Sequence, residues 1–370
     1  MGCGPAASQG QPTPANPVVQ AELAADSLDD GPHVYWQSDR TAIVFYLCRD
    51  SLVTQTYAVD STLSFRGLCS DSTSDYTISA QPPAIEPDAF VDITRIMAVS
   101  DIHGEFDALA DFLKAAGVVD DALRWSWGDG HLVVDGDVFD RGDQVTECLW
   151  LLYRLEKEAE SAGGRVHLLL GNHETMVLRR DLRYVNSKYL DGIVRRSRVH
   201  YDELYGPDME MGRWLRTRNT AIKVNDVLFV HGGLPPRLAE EGMSLTWINE
   251  MGRANLDLRS YEVAFSDSIK AFYGHTPTGP YWYRGYHGAQ ENRYPQATDE
   301  EIDATLAAYG VSAVVVGHTE VDQVESLYGG RVYAIDVPLN ELGTFQGLLW
   351  EAGRFFRVEG DGSLTPLGTR

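Results

Sequence analysis

Short apolar runs, each ending abruptly in Ser, Asp, Gly or His, recur through the middle of the chain. Ile96-Met97-Ala98-Val99, Leu132-Val133-Val134, Val166-His167-Leu168-Leu169-Leu170, Val227-Leu228-Phe229-Val230 and Val311-Ser312-Ala313-Val314-Val315-Val316 have this form. Runs of that length, bounded by polar clusters, predict buried strands. Between them the apolar period changes. Phe106, Leu109, Ala110 and Leu113 recur at helical spacing, as do Val145, Leu149, Leu152 and Leu155, which follow Asp143 as a candidate N-cap. Strands alternating with helices predict an α/β architecture. No sequence repeat accompanies the alternation.

Toward the N-terminus the pattern differs. Residues 1–31 are rich in Ala, Pro, Gly, Gln and Ser and cannot bury enough apolar surface to offset the entropy of ordering, which predicts a disordered tether. From His33 to about Ala80, runs such as Thr41-Ala42-Ile43-Val44-Phe45-Tyr46-Leu47 and Leu63-Ser64-Phe65 predict a small β appendage. Gln81-Pro82-Pro83 and Glu86-Pro87 then punctuate the chain. The organisation read from these shifts is a tether over 1–31, a β-rich appendage over 32–88 and a main catalytic domain over 89–370.

Charge narrows the partners. Of 370 residues, 54 are Asp or Glu against 31 Lys or Arg, a formal charge of −23, and such a surface repels polyanions. Nucleic acid is not an expected partner. A small phosphorylated substrate is compatible, because cations held by some of those carboxylates invert the local field. No stretch approaches the roughly 20 apolar residues that a membrane-spanning helix needs. The four cysteines, Cys3, Cys48, Cys69 and Cys148, form no CxxC pair and are too sparse for a disulfide scaffold. A Cys48–Cys69 bond and two buried thiols are both open readings. Cys3 ahead of the tether resembles the lipid-anchored cysteine of a mature bacterial lipoprotein, which implies the cell envelope; without that anchor the expectation is cytoplasmic.

The chemistry stands at the strand ends. The first run leads into Ser100-Asp101-Ile102-His103-Gly104, the second into Asp135-Gly136-Asp137-Val138-Phe139-Asp140-Arg141-Gly142, and the third into Gly171-Asn172-His173-Glu174. The last two lead into His231-Gly232-Gly233 and Gly317-His318-Thr319. In open α/β sheets ligands gather outside the carboxyl ends of strands, so these segments can meet in one crevice. Mixed carboxylate, amide and imidazole donors suit two borderline divalent cations, and a pair of metals clamps the oxygens of an in-line displacement at phosphorus. Asp137 is the natural bridge, with Gly136 letting the backbone turn tightly beside it. Arg141, always charged and planar, suits two phosphate oxygens. The second Gly-His-Thr, at His275, follows no apolar strand and precedes Pro277, so His318 is the better ligand.

In order and combination, SDIHG, GDxxDRG, GNHE, HGG and GHT resemble the motifs of the calcineurin-like metallophosphoesterases, and within them the phosphoprotein phosphatase branch, over about residues 95–340. Ser100 stands where that branch usually has Gly. The segments Val315-Val316-Gly317-His318-Thr319, Gly279-Pro280-Tyr281-Trp282-Tyr283-Arg284-Gly285 and Arg179-Arg180-Asp181-Leu182-Arg183-Tyr184-Val185 are most similar to the bacterial-type Shewanella-like phosphatases. The resemblance implies two packed β-sheets flanked by helices, here with the N-terminal β appendage added. It implies that Asp101, His103 and His318 hold one metal, that Asp137 bridges, and that Asn172 with His231 holds the other. A bridging hydroxide then attacks phosphorus directly, His173 protonates the leaving oxygen, and Asp140 orients that imidazole. Arg141, Asn172, Arg284 and Arg183 are the implied substrate contacts.

The implied activity is a two-metal phosphomonoesterase acting on a phosphorylated protein or small phosphomonoester, with phosphotyrosine favoured. Manganese, iron and zinc all accept these donors. Aromatics between Tyr273 and Pro295 offer a stacking surface for such a ring, with simple core packing as the alternative, and the Arg179–Trp214 stretch offers a helical cap. Two rivals stand beside this reading: a dinucleoside polyphosphate hydrolase with the same motifs, and an inactive metal-bound binding module. Intact Asp140, Arg141 and His173 speak against the second, since a scaffold needs none of them.

Overall fold

The computed structural model describes residues 28–49, 51–69, 74–263, 266–274, 276–288, 294–339 and 345–368. Most of the tether, Cys3 and His275 therefore lie outside the described residues. Three antiparallel strands, β1 (Asp30–Ser38), β2 (Thr41–Cys48) and β3 (Ser51–Ala58), and the hairpin β4 (Thr62–Arg66) with β5 (Asp75–Ser79) form the N-terminal β region. Then come β6 (Ala89–Phe90), β7 (Arg95–Val99), β8 (His131–Val134), β9 (Arg165–Leu168), β10 (Ala221–Val224), β11 (Val227–Val230) and β12 (Ala313–Val316). The C-terminal part adds β13 (Glu325–Leu327), β14 (Val332–Ala334), β15 (Gly347–Glu351), β16 (Arg354–Val358) and β17 (Leu364–Pro366).

These later strands build two six-stranded sheets, ordered β17-β16-β15-β7-β8-β9 and β13-β14-β12-β11-β10-β6. Strands β7, β8 and β9 are mutually parallel, as are β11, β12 and β14. The period of two along each strand sorts side chains between two cores. Ile96, Ala98, Val133, Val227, Phe229, Ala313 and Val315 pack together where the sheets meet, whereas Met97, Val99, Leu132, Val134, Leu228, Val230, Val314 and Val316 join the core under the helices. Burial on both faces is why these strands read as unbroken apolar runs.

Helix α1 (Phe106–Ala115) follows β7, α2 (Val145–Ser161) follows β8, and α3 (Asn172–Leu178) follows β9. Asp143 does not cap α2. The N-cap position is Gln144, one residue later and without a side-chain cap bond, and the Asp143 main-chain carbonyl accepts from the Tyr189 hydroxyl at 2.9 Å and from the Lys188 ammonium. Among the described residues no helix is long and apolar enough to cross a membrane.

The N-terminal region docks on α2 through paired polar groups. His33 donates to Asp30 at 2.7 Å, Thr146 lies 3.3 Å from the same oxygen, and the Trp150 indole donates to the Pro32 carbonyl at 2.8 Å. Buried Glu210 accepts from both the Trp36 indole and the Tyr153 hydroxyl at 2.5 Å. That network draws Asp30 and Gly31 out of the compositional tether and into β1. Cys48 and Cys69 form a disulfide with a Cα–Cα separation of 5.5 Å, within the range such a bond requires. Cys148 is a buried free thiol.

Candidate metal centre at the strand ends

The carboxyl ends of β7, β8 and β9 from one sheet and β11 and β12 from the other converge on one point. Asp137 is its centre. Its Oδ2 lies 3.1 Å from His231 Nε2 and 3.7 Å from His173 Nε2, and its Oδ1 accepts the His173 backbone N–H at 2.9 Å. His231 Nε2 is also 3.0 Å from Asn172 Oδ1, and His103 Nε2 is 3.8 Å from Asp101 Oδ1. Bringing donors so close forces unusual backbone. Asp101, His103, Asp137, Asp140, Arg141 and His318 all adopt left-handed conformations, with φ from 48 to 70°, a strain that folds retain where a site over-determines the geometry. Gly171 is required for the same reason: a Cβ there would run into the Asp137 carboxylate.

The residues fit divalent cations. His103 Nδ1 donates to the Phe139 carbonyl at 2.8 Å and His231 Nδ1 to the Asp135 carbonyl at 2.7 Å, so each ring turns the lone pair of Nε2 inward, the tautomer a metal needs. Buried His103 Nε2 and His318 Nε2 have no hydrogen-bond partner among the described residues. Two groups of donor atoms, His103–Asp137–His173 and Asp137–His231–His318, each lie within 4.8 Å and share Asp137. This grouping sets His318 beside His231, a different sharing from the one the family resemblance implies, which paired His318 with Asp101 and His103. The His318 backbone N–H does hold Asp101 Oδ2, at 3.0 Å, so the residue serves one ligand through its backbone and sits beside another through its ring.

Electrostatics follow from burial and crowding. Burial opposes charge on Asp137, yet the imidazoles of His231, His173 and His103 hold its carboxyl well below the usual range. His173 is opposite in sign: burial disfavours its protonation, but the Asp137 charge and the 2.6 Å hydrogen bond to Asp140 raise its pKa. His318, by contrast, is kept neutral by burial, with His231 and Arg284 reinforcing it. Ser100, where the resembled branch usually has Gly, places its hydroxyl 2.5 Å from Asp101 Oδ2 and 3.1 Å from the Asp135 carbonyl, which fixes the Asp101 carboxylate.

The three arginines implied as substrate contacts differ in setting. Arg141 reaches Glu320 at 3.4 Å with its side chain about half exposed. Arg284 donates to Thr319 Oγ1 at 3.0 Å, next to His318, and lies in the field of Asp336, Asp101 and Asp137. Arg183 is engaged by both Asp181 oxygens at 2.8 Å and is largely exposed. Of the aromatic loop, Tyr281, Tyr283 and Tyr286 are buried at 1–3% exposure; Tyr281 bonds Thr220 and Tyr286 bonds the Leu234 carbonyl. Core packing, not stacking on a ligand, is their role.

Sequence reading passed over Glu174. Its carboxylate accepts from the backbone N–H groups of Gly171 (2.7 Å), Asp137 (2.8 Å), Val138 (2.7 Å) and Phe139 (3.3 Å), and so clamps the bridging loop to the start of α3. The signal was its place in GNHE, but the partners are backbone groups, which leave no trace in composition. Asp135 was passed over too. It is fully buried with both carboxylate oxygens lacking a partner among the described residues.

Comparison with known proteins agrees with this geometry. Residues 94–322 match the calcineurin-like phosphoesterase family. An uncharacterized protein of Schizosaccharomyces pombe is 32% identical over 66% of this chain and 73% of its own length. Shewanella-like protein phosphatase 2 of Arabidopsis thaliana is 27% identical, covering 67% of this chain and 72% of that protein. Among solved structures, a cold-active protein-tyrosine phosphatase of a psychrophilic Shewanella species superposes with a TM-score of 0.82 at 35% identity, over 92% of this chain and 99% of that one. Since the family match spans more than half of its residues, the chain belongs to the calcineurin-like phosphoesterases, as a hydrolase of phosphoric monoesters.

Proposed function

We propose that the protein is a dinuclear phosphoprotein phosphatase with a preference for phosphotyrosine. The observation that carries the reading is the position of Asp137, shared by two groups of donor atoms. Asp101 and His103 would hold one ion on its one side, and Asn172, His231 and His318 the other. Ions bound there supply Lewis acidity, which acidifies a water for direct attack and polarises the phosphoryl oxygens. The chain's own residues do the rest. Arg141 and Arg284 face the phosphate as fixed positive charges, and Asn172 offers an amide beside it. His173, whose Nδ1 is held by Asp140 at 2.6 Å, would give its Nε2 proton to the departing oxygen. Ser100, Glu174 and the His318 backbone hold ligands and loop still, so that little reorganisation accompanies the reaction.

Support for the tyrosine preference comes from the Shewanella enzyme, a protein-tyrosine phosphatase that resembles this chain over nearly its full length. The deciding experiment compares phosphate release from para-nitrophenyl phosphate, a phosphotyrosine peptide, a phosphoserine peptide and diadenosine tetraphosphate, before and after chelation and with manganese or zinc restored. Aryl phosphates should be hydrolysed fastest and chelation should abolish turnover. Faster cleavage of diadenosine tetraphosphate would install the nucleotide hydrolase instead, and metal-loaded protein inert toward all four would leave the binding module.

A further inference from the structure

With the tyrosines of the 273–295 loop buried, the aromatic surface at the site comes from elsewhere. Tyr184 is 47% exposed, and its ring centre lies 5.3 Å from that of His173. Its backbone is strapped to the phosphate-side arginine: the Arg141 N–H donates to the Tyr184 carbonyl at 3.0 Å, and the Asn186 amide donates to the Arg141 carbonyl at 2.8 Å. Arg183, fixed by Asp181, lies 5.6 Å from the Tyr184 ring centre. A large aromatic left half in solvent is ordinarily unremarked. One that is backbone-anchored beside the imidazole serving the leaving group is placed for contact.

We infer that Tyr184 is a specificity-determining residue whose ring receives the aromatic ring of a phosphotyrosine leaving group, and that Arg183 acts on substrate only by positioning it. The inference rests on the proposed phosphomonoesterase reading, in which His173 protonates the leaving oxygen. That oxygen must come within about 3 Å of His173 Nε2. A phenyl ring attached to it and turned toward Tyr184 comes within the roughly 4.5–7 Å at which aromatic rings attract each other in offset or edge-on arrangements. A serine leaving group presents only one methylene at the same place. Tyr184 therefore favours aryl over alkyl esters without touching phosphorus.

The test is the ratio of kcat/KM for a phosphotyrosine peptide to that for the phosphoserine peptide of the same sequence, in metal-loaded wild type, Tyr184→Phe and Tyr184→Ala. Metal content and melting temperature are measured on each. Ring–ring contact predicts that the ratio falls about fivefold in Tyr184→Ala and is kept in Tyr184→Phe. An equal loss on both peptides would make Tyr184 merely structural and overturn the inference, as would an unchanged ratio. Wild type inactive on both peptides would instead overturn the phosphatase reading itself, and this inference with it.

Discussion

At the junction of the β appendage with α2, Glu210 accepts from Trp36 and Tyr153, and Asp30 is met by His33, Thr146 and Lys188. At the strand ends His103 Nε2, His318 Nε2 and both oxygens of Asp135 are buried with no hydrogen-bond partner among the described residues, whereas the junction atoms left in that state, Asp30 Oδ1 and Glu147 Oε2, belong to carboxylates that flank the Lys188 ammonium. Both regions are deeply buried and rich in carboxylate and imidazole. An unpaired buried polar group costs on the order of 1–3 kcal/mol, and the inward-facing imidazoles at the strand ends fit a cation that would offset this cost. The contrast teaches how to tell polar groups that assemble a fold from those that await a ligand. Left-handed backbone is concentrated at the strand ends, at Asp101, His103, Asp137, Asp140, Arg141 and His318, with Arg49 and Cys69 in the appendage.

The comparison breaks most sharply at Asp137. Asp137→Asn should lower turnover of para-nitrophenyl phosphate on the order of 10³-fold and lower bound metal with it, read by elemental analysis. His173→Ala should cost about 10²-fold or more in kcat while metal content stays near wild type. Wild-type turnover in that variant would remove His173 from the mechanism. Glu174→Gln tests the region between the two rules, for it is a paired group that serves unpaired ones. Turning an amide NH₂ toward backbone donors should destabilise the fold by about 2–4 kcal/mol and reduce metal affinity about tenfold or more. Glu210→Ala belongs to the assembling region: it leaves the Trp36 and Tyr153 donors unpaired, so denaturant midpoints should report a loss of about 2–3 kcal/mol with kcat per folded molecule within about twofold. A large kcat effect there would mean that the appendage junction is coupled to the site.

How much of this was legible beforehand follows from what each feature depends on. The ligands were legible because strand, tight turn and donor are contiguous in sequence, as in Val134-Asp135-Gly136-Asp137. The C-terminal hairpin of β15 and β16 was not. Its two-residue turn is Ala352-Gly353, both in left-handed conformation, and Ala in place of the usual Asn or Asp removes the hairpin signature. Strand β10 was hidden by its shortness and by Lys223 within it. The nearness of His318 to His231 and the clamp of Glu174 depend on distances across the fold. So does the placement of the half-exposed Tyr184 ring beside His173.

The smallest expected effect sharpens the comparison at its one ambiguous point. Glu147, near Asp30 and Asp143 at the appendage junction, has Oε1 3.9 Å from the Lys188 ammonium and Oε2 without a hydrogen-bond partner among the described residues, so it behaves partly like the site: burial pushes its pKa up to about 7, the Asp30 and Asp143 charges add to this, and Lys188 opposes it. In the unfolded chain its pKa returns to about 4.5, so between those values the folded protein keeps a proton that the unfolded one has released. Stability from this group is therefore full below about pH 4.5 and is lost as pH rises toward 7. Because 39% of the side chain is still solvent-exposed, screening trims the effect. Glu147→Gln should melt higher than wild type at pH 8, and the gain should shrink toward zero as pH falls to 4. A gain constant across that range would show that the carboxylate is already relieved by Lys188, and that the junction obeys the pairing rule throughout.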